Sequence, residues 1–449
     1  MPHRKLDVWL DGYSEPVGHL EGTDKGDVHF SYRPAYLERD DRIALSMSMP
    51  LRNASFDDPT SRFFFENLLQ ERDTARSQTV AKYRLQNDDL LGILEHLGKD
   101  CTGAVSALPA GAPPVKTPGM LGRDYRPLSD GELEALVLAI AEHRPLPKGR
   151  ADPSPLAGVQ SKVALTRLPN GQFSEPRPGS GAPTTHIIKV FDRRHGNDAQ
   201  LEKSTLELSR ELGMPTTVAS VEKIGDLEVL LLERFDRIVD ADGRVSRRHQ
   251  EDFCQALGLS PHQKYERNGT GDHRFRVAAI AGLLDRTGNP VIERQRFMGA
   301  TVFDLLVGNV DGHAKNFSLF HLPGDVIETT PRYDLVPTRL DINLTDELAY
   351  RIGDATTLDS ISPNDFASFL AQLGIANKAA QRRLTERIVL QVAQGLAARL
   401  HGLGARHKKY ADLIAHNMRI LLPSLGIPVP PEAAGRDPFH HHGGGWVSS

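Results

Sequence analysis

The chain has 449 residues, room for two or three domains and a sizeable core, and its 39% hydrophobic, 25% charged and 6% aromatic residues are those of a soluble globular protein. A formal net charge of −4 gives no global drive toward nucleic acid. Cys101 and Cys254 are the only cysteines, which excludes a disulfide framework and a multi-cysteine zinc site and suits a reducing cytoplasm.

The opening Met1-Pro2-His3-Arg4-Lys5-Leu6-Asp7 lacks the apolar run of a signal peptide. No stretch approaches the ~20 apolar residues that span a bilayer, so no membrane partner is expected. Residues 6–50 read as β structure. Leu6-Asp7-Val8-Trp9-Leu10 alternates before Asp11-Gly12, a hairpin signal, and the runs 28–32 and 43–49 follow. From Asp58 to Leu97 the period turns helical, and the stripe Phe63-Phe64-Phe65 is expected in the core.

Residues 109–122, rich in proline and glycine, read as a linker or surface loop. Ser129 and Glu132 stand at capping-box spacing, opening a helix through about Ala141. Residues 143–155 are expected to be exposed. Strands are predicted at 162–167, 185–191 and 227–235, with a helix from about Asp198 to Leu212 and Gly213 as its C-cap. From about Glu251 the pattern is mainly helical, with runs at 292–308, 379–401 and 407–422. The basic clusters 244–249 and 406–409 read as solvated surface. The His-rich stretch 439–445 reads as a flexible tail. A β-rich part followed by an α-rich part predicts an α+β fold of two lobes with a cleft between them.

One loop carries the chemistry. Asn309-Val310-Asp311-Gly312-His313-Ala314-Lys315-Asn316 sets an aspartate and an asparagine five positions apart after an apolar segment, and Asp334 follows. Phosphoryl transfer from ATP needs one carboxylate for the proton of the acceptor hydroxyl, an amide oxygen for Mg²⁺ and a second carboxylate bridging the metals. Upstream, the turn Ala157-Gly158-Val159-Gln160-Ser161-Lys162 either offers N–H groups to phosphate oxygens or is a plain turn. Lys189 is either a strand lysine with an anion partner, Glu202 being the candidate, or a half-exposed lysine on an edge strand. Glu233-Arg234-Phe235-Asp236-Arg237 is either a hinge that reads adenine or a charged loop anchored by its phenylalanine. The order of these features makes them one constellation.

That order and its wording resemble the HipA family of Ser/Thr protein kinases, toxins of bacterial HipBA toxin–antitoxin pairs. The similarity lies in Ala157–Lys162, in Pro183-Thr184-Thr185-His186-Ile187-Ile188-Lys189, in Glu233–Arg237, in Asp311–Ser318, in Tyr333-Asp334, and near the N-terminus in Phe64–Leu69 and Gly103-Ala104-Val105. The resemblance implies a bilobal kinase-like fold with a β-rich N-terminal lobe and a mainly α-helical C-terminal lobe. Its expected parts are an N-terminal subdomain over 1–110, the rest of that lobe over 111–237, the helical lobe over 238–425 and a tail over 426–449.

By matching position, the resemblance implies that Asp311 is catalytic and that Asn316 and Asp334 hold Mg²⁺. His313 and Lys315 would lend positive potential beside the transferred group. Ala157, Gly158, Val159, Gln160, Ser161 and Lys162 would cover the ATP phosphates, with Lys189 and its partner Glu202 beneath. Glu233 and Phe235 would hold adenine through backbone groups, with Asp236 near the ribose. The family's autophosphorylated serine falls at Pro155, which has no hydroxyl, so Ser154 and Ser161 are the substitute candidates. The implied partners are a HipB-like helix-turn-helix antitoxin, DNA mainly through it, and a cytoplasmic protein substrate such as an aminoacyl-tRNA synthetase, glutamyl-tRNA synthetase in the best-known case. Two rival readings stay open: a small-molecule kinase on the same fold, and a catalytically silent corepressor.

Overall fold

The computed structural model describes residues 4–69, 74–144, 162–191, 198–341, 343–436, 440–442 and 445–447. The chain forms two compact units. The first takes Met1–Ala199, Thr217–Pro261 and Ser318–Glu328; the second takes Gln200–Thr216, His262–Phe317 and Thr329–Ser449. The chain therefore enters the second unit at Gln200–Thr216, again after Pro261, and returns briefly to the first at Ser318–Glu328. The return has a cause: Ser318–Leu322 pairs antiparallel with Gln250–Asp252.

The first unit holds two substantial antiparallel sheets. One has four strands in the order Val28–Tyr32, Gly18–Gly22, Lys5–Leu10, Val105–Pro109. Its apolar residues form one core with Phe64 and Phe65 of the helix Asp58–Asn67 and Ile93 and Leu94 of the helix Leu90–Leu97. Asp11-Gly12 makes a turn, but not the expected tight hairpin: the next strand starts only at Gly18, after Glu15-Pro16. Residues 43–49 are not a strand either. The N–H groups of Ile43 and Leu45 donate to the hydroxyls of Tyr36 and Tyr32, and that of Met47 to Glu251 Oε1, so side chains replace a ladder.

The other sheet has six strands in the order Ala219–Ile224, Leu227–Glu233, His186–Val190, Lys162–Arg167, Phe173–Pro176, Tyr125–Pro127. One face buries Leu165, Ile188, Val190, Val229 and Leu231 against Leu133, Leu136 and Val137 of the helix Asp130–Ala141. That helix opens with the predicted capping box of Ser129 and Glu132. The basic stretch 244–249 is solvated only in part: Arg244 is exposed, but Arg247 and His249 are buried, tied to acidic and carbonyl oxygens.

The second unit is helical. Its longest helix, Pro290–Val307, starts where the Asn289 side chain caps the Ile292 N–H. It ends at Gly308, whose φ of 77° is the left-handed cap that glycine adopts without strain. It packs on Lys408–Ser424, where Leu413, Ile414 and Met418 are buried. The run predicted at 379–401 forms Lys378–Leu384 and Leu390–Ala397, joined by a π turn. Instead of a featureless tail, Pro431–Ala434 is helical and His440–His442 pairs with Gly445–Val447. Among the described residues no helix is long and apolar enough to cross a membrane.

Candidate functional site

The loop at 309–316 hangs from the end of the helix Pro290–Val307. The N–H groups of Gly308 and Asn309 both return to the Asp304 carbonyl. Gly308 in turn offers its own carbonyl to Arg339 N–H at 3.0 Å, while Thr338 Oγ1 accepts from Val310 N–H at 3.2 Å. His313 N–H donates to the Asp311 carbonyl at 2.7 Å and Asn316 N–H to the His313 carbonyl at 2.8 Å, closing a single 3₁₀ turn. Asn316 Nδ2 reaches the same Asp311 carbonyl at 3.0 Å. The spacing of five thus has a structural meaning: it folds the asparagine back onto the aspartate.

Asp311 is largely buried, and its Oδ1 accepts a hydrogen bond from the Tyr265 hydroxyl at 2.7 Å. Burial raises its carboxyl above the usual range, and the negative charge of Asp334 pushes the same way; Tyr265, Lys264 and Arg267 oppose them. Asp334 therefore stands close enough to Asp311 for the two charges to interact. Its backbone has φ 56°, a left-handed conformation that costs an L-residue free energy. The preceding Tyr333 donates its hydroxyl to the Lys315 carbonyl at 2.8 Å, joining the two halves of the site.

Burial pushes His313 down to about 3, with Lys264 adding to the shift, so the imidazole is neutral near pH 7. That corrects the expectation of a positive histidine: only Lys315 and its basic neighbours lend charge here. His313 Nδ1 finds no partner among the described residues.

Two further residues brace the loop without having stood out in the sequence. Asp304 is buried, and Arg332 Nη2 contacts both its oxygens at 2.6 Å while Asn309 Nδ2 donates to Oδ1 at 3.0 Å. Arg332 lies two residues before Asp334, so this ion pair ties the loop at 309–316 to the segment bearing the second carboxylate. A signal existed: one aspartate inside Val302-Phe303-Asp304-Leu305-Leu306 is a buried charge needing a cation. Tyr265 carried no comparable signal.

The donor set at Asn316 and Asp334 fits a hard divalent cation. With Nδ2 turned to the Asp311 carbonyl, Asn316 Oδ1 has no protein donor among the described residues, and Asp334 adds a half-buried carboxylate. Two oxygen ligands, with water and phosphate completing the shell, are what Mg²⁺ accepts.

The first unit holds the other predicted residues except Glu202, which lies in the second. Lys189 is 6% exposed and lies in a central strand, which rules out the edge-strand alternative. Lys162 is its register partner on the neighbouring antiparallel strand, so both side chains leave the same face of the sheet. Directly opposed like charges are unfavourable, and such a face favours anions. Glu202 is fully buried on the helix Asp198–Glu211. Ala157, Gly158, Val159, Gln160 and Ser161 of the phosphate turn lie outside the described residues, as do Ser154 and Pro155.

The hinge needs one correction. Asp236 is 4% exposed and its carboxylate accepts from Arg234 Nε and Nη2, from Arg237 Nη1 and from Gly103 N–H, at 2.8–3.1 Å. A ribose would have to displace one of those donors, so Asp236 is a structural carboxylate. Glu233 N–H donates to the Val218 carbonyl at 3.0 Å, and its carbonyl, which accepts from Thr217 Oγ1, keeps a second lone pair that a base could use. Phe235 is half-buried, edge-on to Phe320 with ring centroids 5.9 Å apart.

Comparison with known proteins identifies the family. Residues 154–400 match the HipA-like C-terminal domain and residues 6–108 the HipA N-terminal domain. The chain is 31% identical over 389 residues to the serine/threonine-protein kinase toxin HipA of Shewanella oneidensis, covering 84% of this chain and 86% of that one. It is also 31% identical to a Sinorhizobium fredii protein named "Putative kinase Y4mE", over 95% of this chain and all of that protein. Among solved structures, HipA in its complex with HipB and operator DNA from Shewanella oneidensis superposes with a TM-score of 0.74 at 27% identity, covering 94% of this chain and 98% of that one. The fold is therefore α+β and kinase-like, and the chain belongs to the HipA family.

Proposed function

We propose that this protein is an ATP- and Mg²⁺-dependent Ser/Thr protein kinase and the toxin of a toxin–antitoxin pair. The observation that carries the reading is the joint geometry of Asp311, Asn316 and Asp334: the Asn316 amide is hydrogen-bonded back to the Asp311 carbonyl, and Asp334 is near enough for its charge to act on the largely buried Asp311 carboxylate. In the reaction the acceptor hydroxyl oxygen bonds to the γ-phosphorus, the bond to the ADP oxygen breaks, and the hydroxyl proton passes to Asp311. Asn316 and Asp334 hold Mg²⁺, which neutralises charge on the phosphates. Lys189 and Lys162 supply the cationic face for those phosphates, and Lys315 adds charge at the loop.

The named relative is a kinase toxin, and its solved complex contains HipB and DNA, which supports a HipB-like antitoxin as partner and DNA contact mainly through it. A cytoplasmic protein, an aminoacyl-tRNA synthetase such as glutamyl-tRNA synthetase by family analogy, is the proposed acceptor, with growth arrest as the consequence. Control differs from the family pattern at Pro155, and phosphopeptide mass spectrometry after incubation with Mg–ATP decides whether Ser154 or Ser161 substitutes.

γ-Labelled ATP with a cell lysate tests the whole reading. A labelled protein band, lost in Asp311→Asn, supports it. Label only in small metabolites turns the reading into a small-molecule kinase. No label in either, with antitoxin binding retained, leaves a corepressor.

A further inference from the structure

Tyr265 belongs to neither of the motifs by which the site was found, yet its hydroxyl makes the one side-chain hydrogen bond to the Asp311 carboxylate among the described residues. We infer that Tyr265 is a positioning residue for phosphoryl transfer, fixing Asp311 by Oδ1 so that Oδ2 is presented to the acceptor hydroxyl; this rests on the kinase reading above. The observations behind it are geometric.

The tyrosine is held by the same backbone that holds the loop. Ala349 donates its N–H to the Val310 carbonyl at 3.1 Å, one residue before Asp311. The Ala349 carbonyl accepts from Glu266 N–H at 2.9 Å, one residue after Tyr265. Glu266 then reaches on with its side chain, accepting from Arg351 N–H at 2.7 Å. One short segment thus sets the separation of Tyr265 from Asp311 without any nucleotide. The ring itself is fixed on its faces and edge: the Arg267 guanidinium lies 4.1 Å from the ring centroid, the Lys264 ammonium 5.6 Å, and the His313 ring stands edge-on at 5.3 Å.

The division of the carboxylate is the informative part. A carboxylate free to rotate exchanges its two oxygens, and proton acceptance then depends on a chance orientation. With Oδ1 committed to a phenol, the rotor is locked, and Oδ2 carries no protein donor among the described residues. That is the pre-orientation which a general base needs before the acceptor arrives. It also predicts where the loss appears: in the rate of transfer, because Tyr265 touches Asp311 rather than the nucleotide.

The test uses the purified full chain, a fixed pool of lysate protein and γ-labelled Mg–ATP. In Tyr265→Phe the ring and its cation contacts remain while the hydroxyl is gone. Losing a hydrogen bond to a charged group lowers the rate at saturating ATP roughly ten- to a hundredfold. The half-saturating ATP concentration and the calorimetric Kd for Mg–ATP stay within about twofold of wild type, as for an interaction made with the catalytic base alone. p-Aminophenylalanine at position 265 restores a donor on the same ring and recovers the rate to within about fivefold. A Tyr265→Phe rate within about threefold of wild type overturns the inference, and so does a fall matched by an equal loss of ATP affinity. A rate above wild type also overturns it, since the hydroxyl would then be competing with the acceptor. A wild-type chain that transfers no label refutes the kinase reading, and the inference falls with it.

Discussion

Replacing Asp236 with asparagine tests a buried ionic cluster that the sequence suggested was a ribose site. Asp236 lies with Asp100 and Asp11 among Arg234, Arg237, Arg247 and Lys116, so three carboxylates face four cations. The cluster joins strands of the N-terminal subdomain, through Asp11, Asp100 and Gly103, to the stretch after Glu233. Arg234 and Arg237 hold the Asp236 carboxyl down, against burial, from an ordinary 3.8 to about 2. A depression of that size contributes roughly 2.5 kcal/mol of stability at neutral pH. Because the folded value is depressed, that contribution is complete above pH 3.8 and is lost as pH falls toward 2.

Asparagine removes the charge and leaves four cations facing two carboxylates, so Asp236→Asn is expected to cost roughly 3–5 kcal/mol. For a unit of this size that lowers the melting temperature by about 10 °C. Arg237→Gln is expected to cost less. Burial and the neighbouring Arg234 push the Arg237 guanidinium down to about 10, and its Nη2 has no hydrogen-bond partner among the described residues, standing 3.8 Å from Asp100 Oδ1, so in a cluster with more cations than carboxylates its charge is the less costly to lose. Differential scanning fluorimetry and urea titration at pH 7 measure both variants, and repeating the titration below pH 4 should show the gap between wild type and Asp236→Asn narrowing. Mg–ATP affinity of the folded variant should stay within about threefold of wild type. An Asp236→Asn protein that melts normally but binds ATP poorly refutes this reasoning and restores the ribose role. A larger loss for Arg237→Gln than for Asp236→Asn refutes the charge count.

Three shorter predictions concern the second unit. Arg332→Met removes the cation from buried Asp304 and should cost roughly 3–5 kcal/mol in urea unfolding, with transfer activity falling as Asp334 loses its anchor. Asp334→Gly and Asp334→Ala should both lose Mg²⁺-dependent transfer, but the glycine variant should be about 1 kcal/mol more stable, since φ 56° suits glycine. Gly308→Ala combines a left-handed φ with a Cβ that would stand 2.9 Å from Leu413 Cδ2; a loss of about 1–3 kcal/mol, read by thermal unfolding, is expected.

Much of this was legible because local rules act locally. Capping at Ser129, the strand at 162–167 and the left-handed glycine cap at Gly213 follow from neighbours in sequence. The 309–316 loop was legible for a similar reason, its asparagine bonding back five residues. What escaped were contacts made at long range. Tyr265 meets Asp311 across 46 positions, and no periodicity encodes that. Asp236 misled because its neighbours in sequence suggested a hinge, whereas Gly103 N–H and the buried arginines of the cluster decide its chemistry. The run at 43–49 alternates as a strand should, but tyrosine hydroxyls and Glu251 took its backbone donors first.

The distribution of unfavourable free energy bears on the rival readings. A protein that only binds an antitoxin gains nothing from burying Asp311 close to a second carboxylate. It gains nothing either from a left-handed Asp334 where glycine would sit without strain. Each feature costs roughly 1–3 kcal/mol and survives only because Tyr265, the Asp304–Arg332 pair and the Thr338 contacts over-determine the loop. Unfavourable free energy gathered at two carboxylates, and braced from three directions, fits a site that meets a metal and a phosphate better than it fits a scaffold. The consequence is measurable. If Mg–ATP relieves that cost, the second unit should gain protection against hydrogen exchange at 309–316 and 331–335 on adding Mg–ATP, and Asp334→Gly should gain less. Equal protection in wild type and Asp334→Gly would mean that the strained aspartate does not meet the ligand, and the kinase reading would lose its second carboxylate.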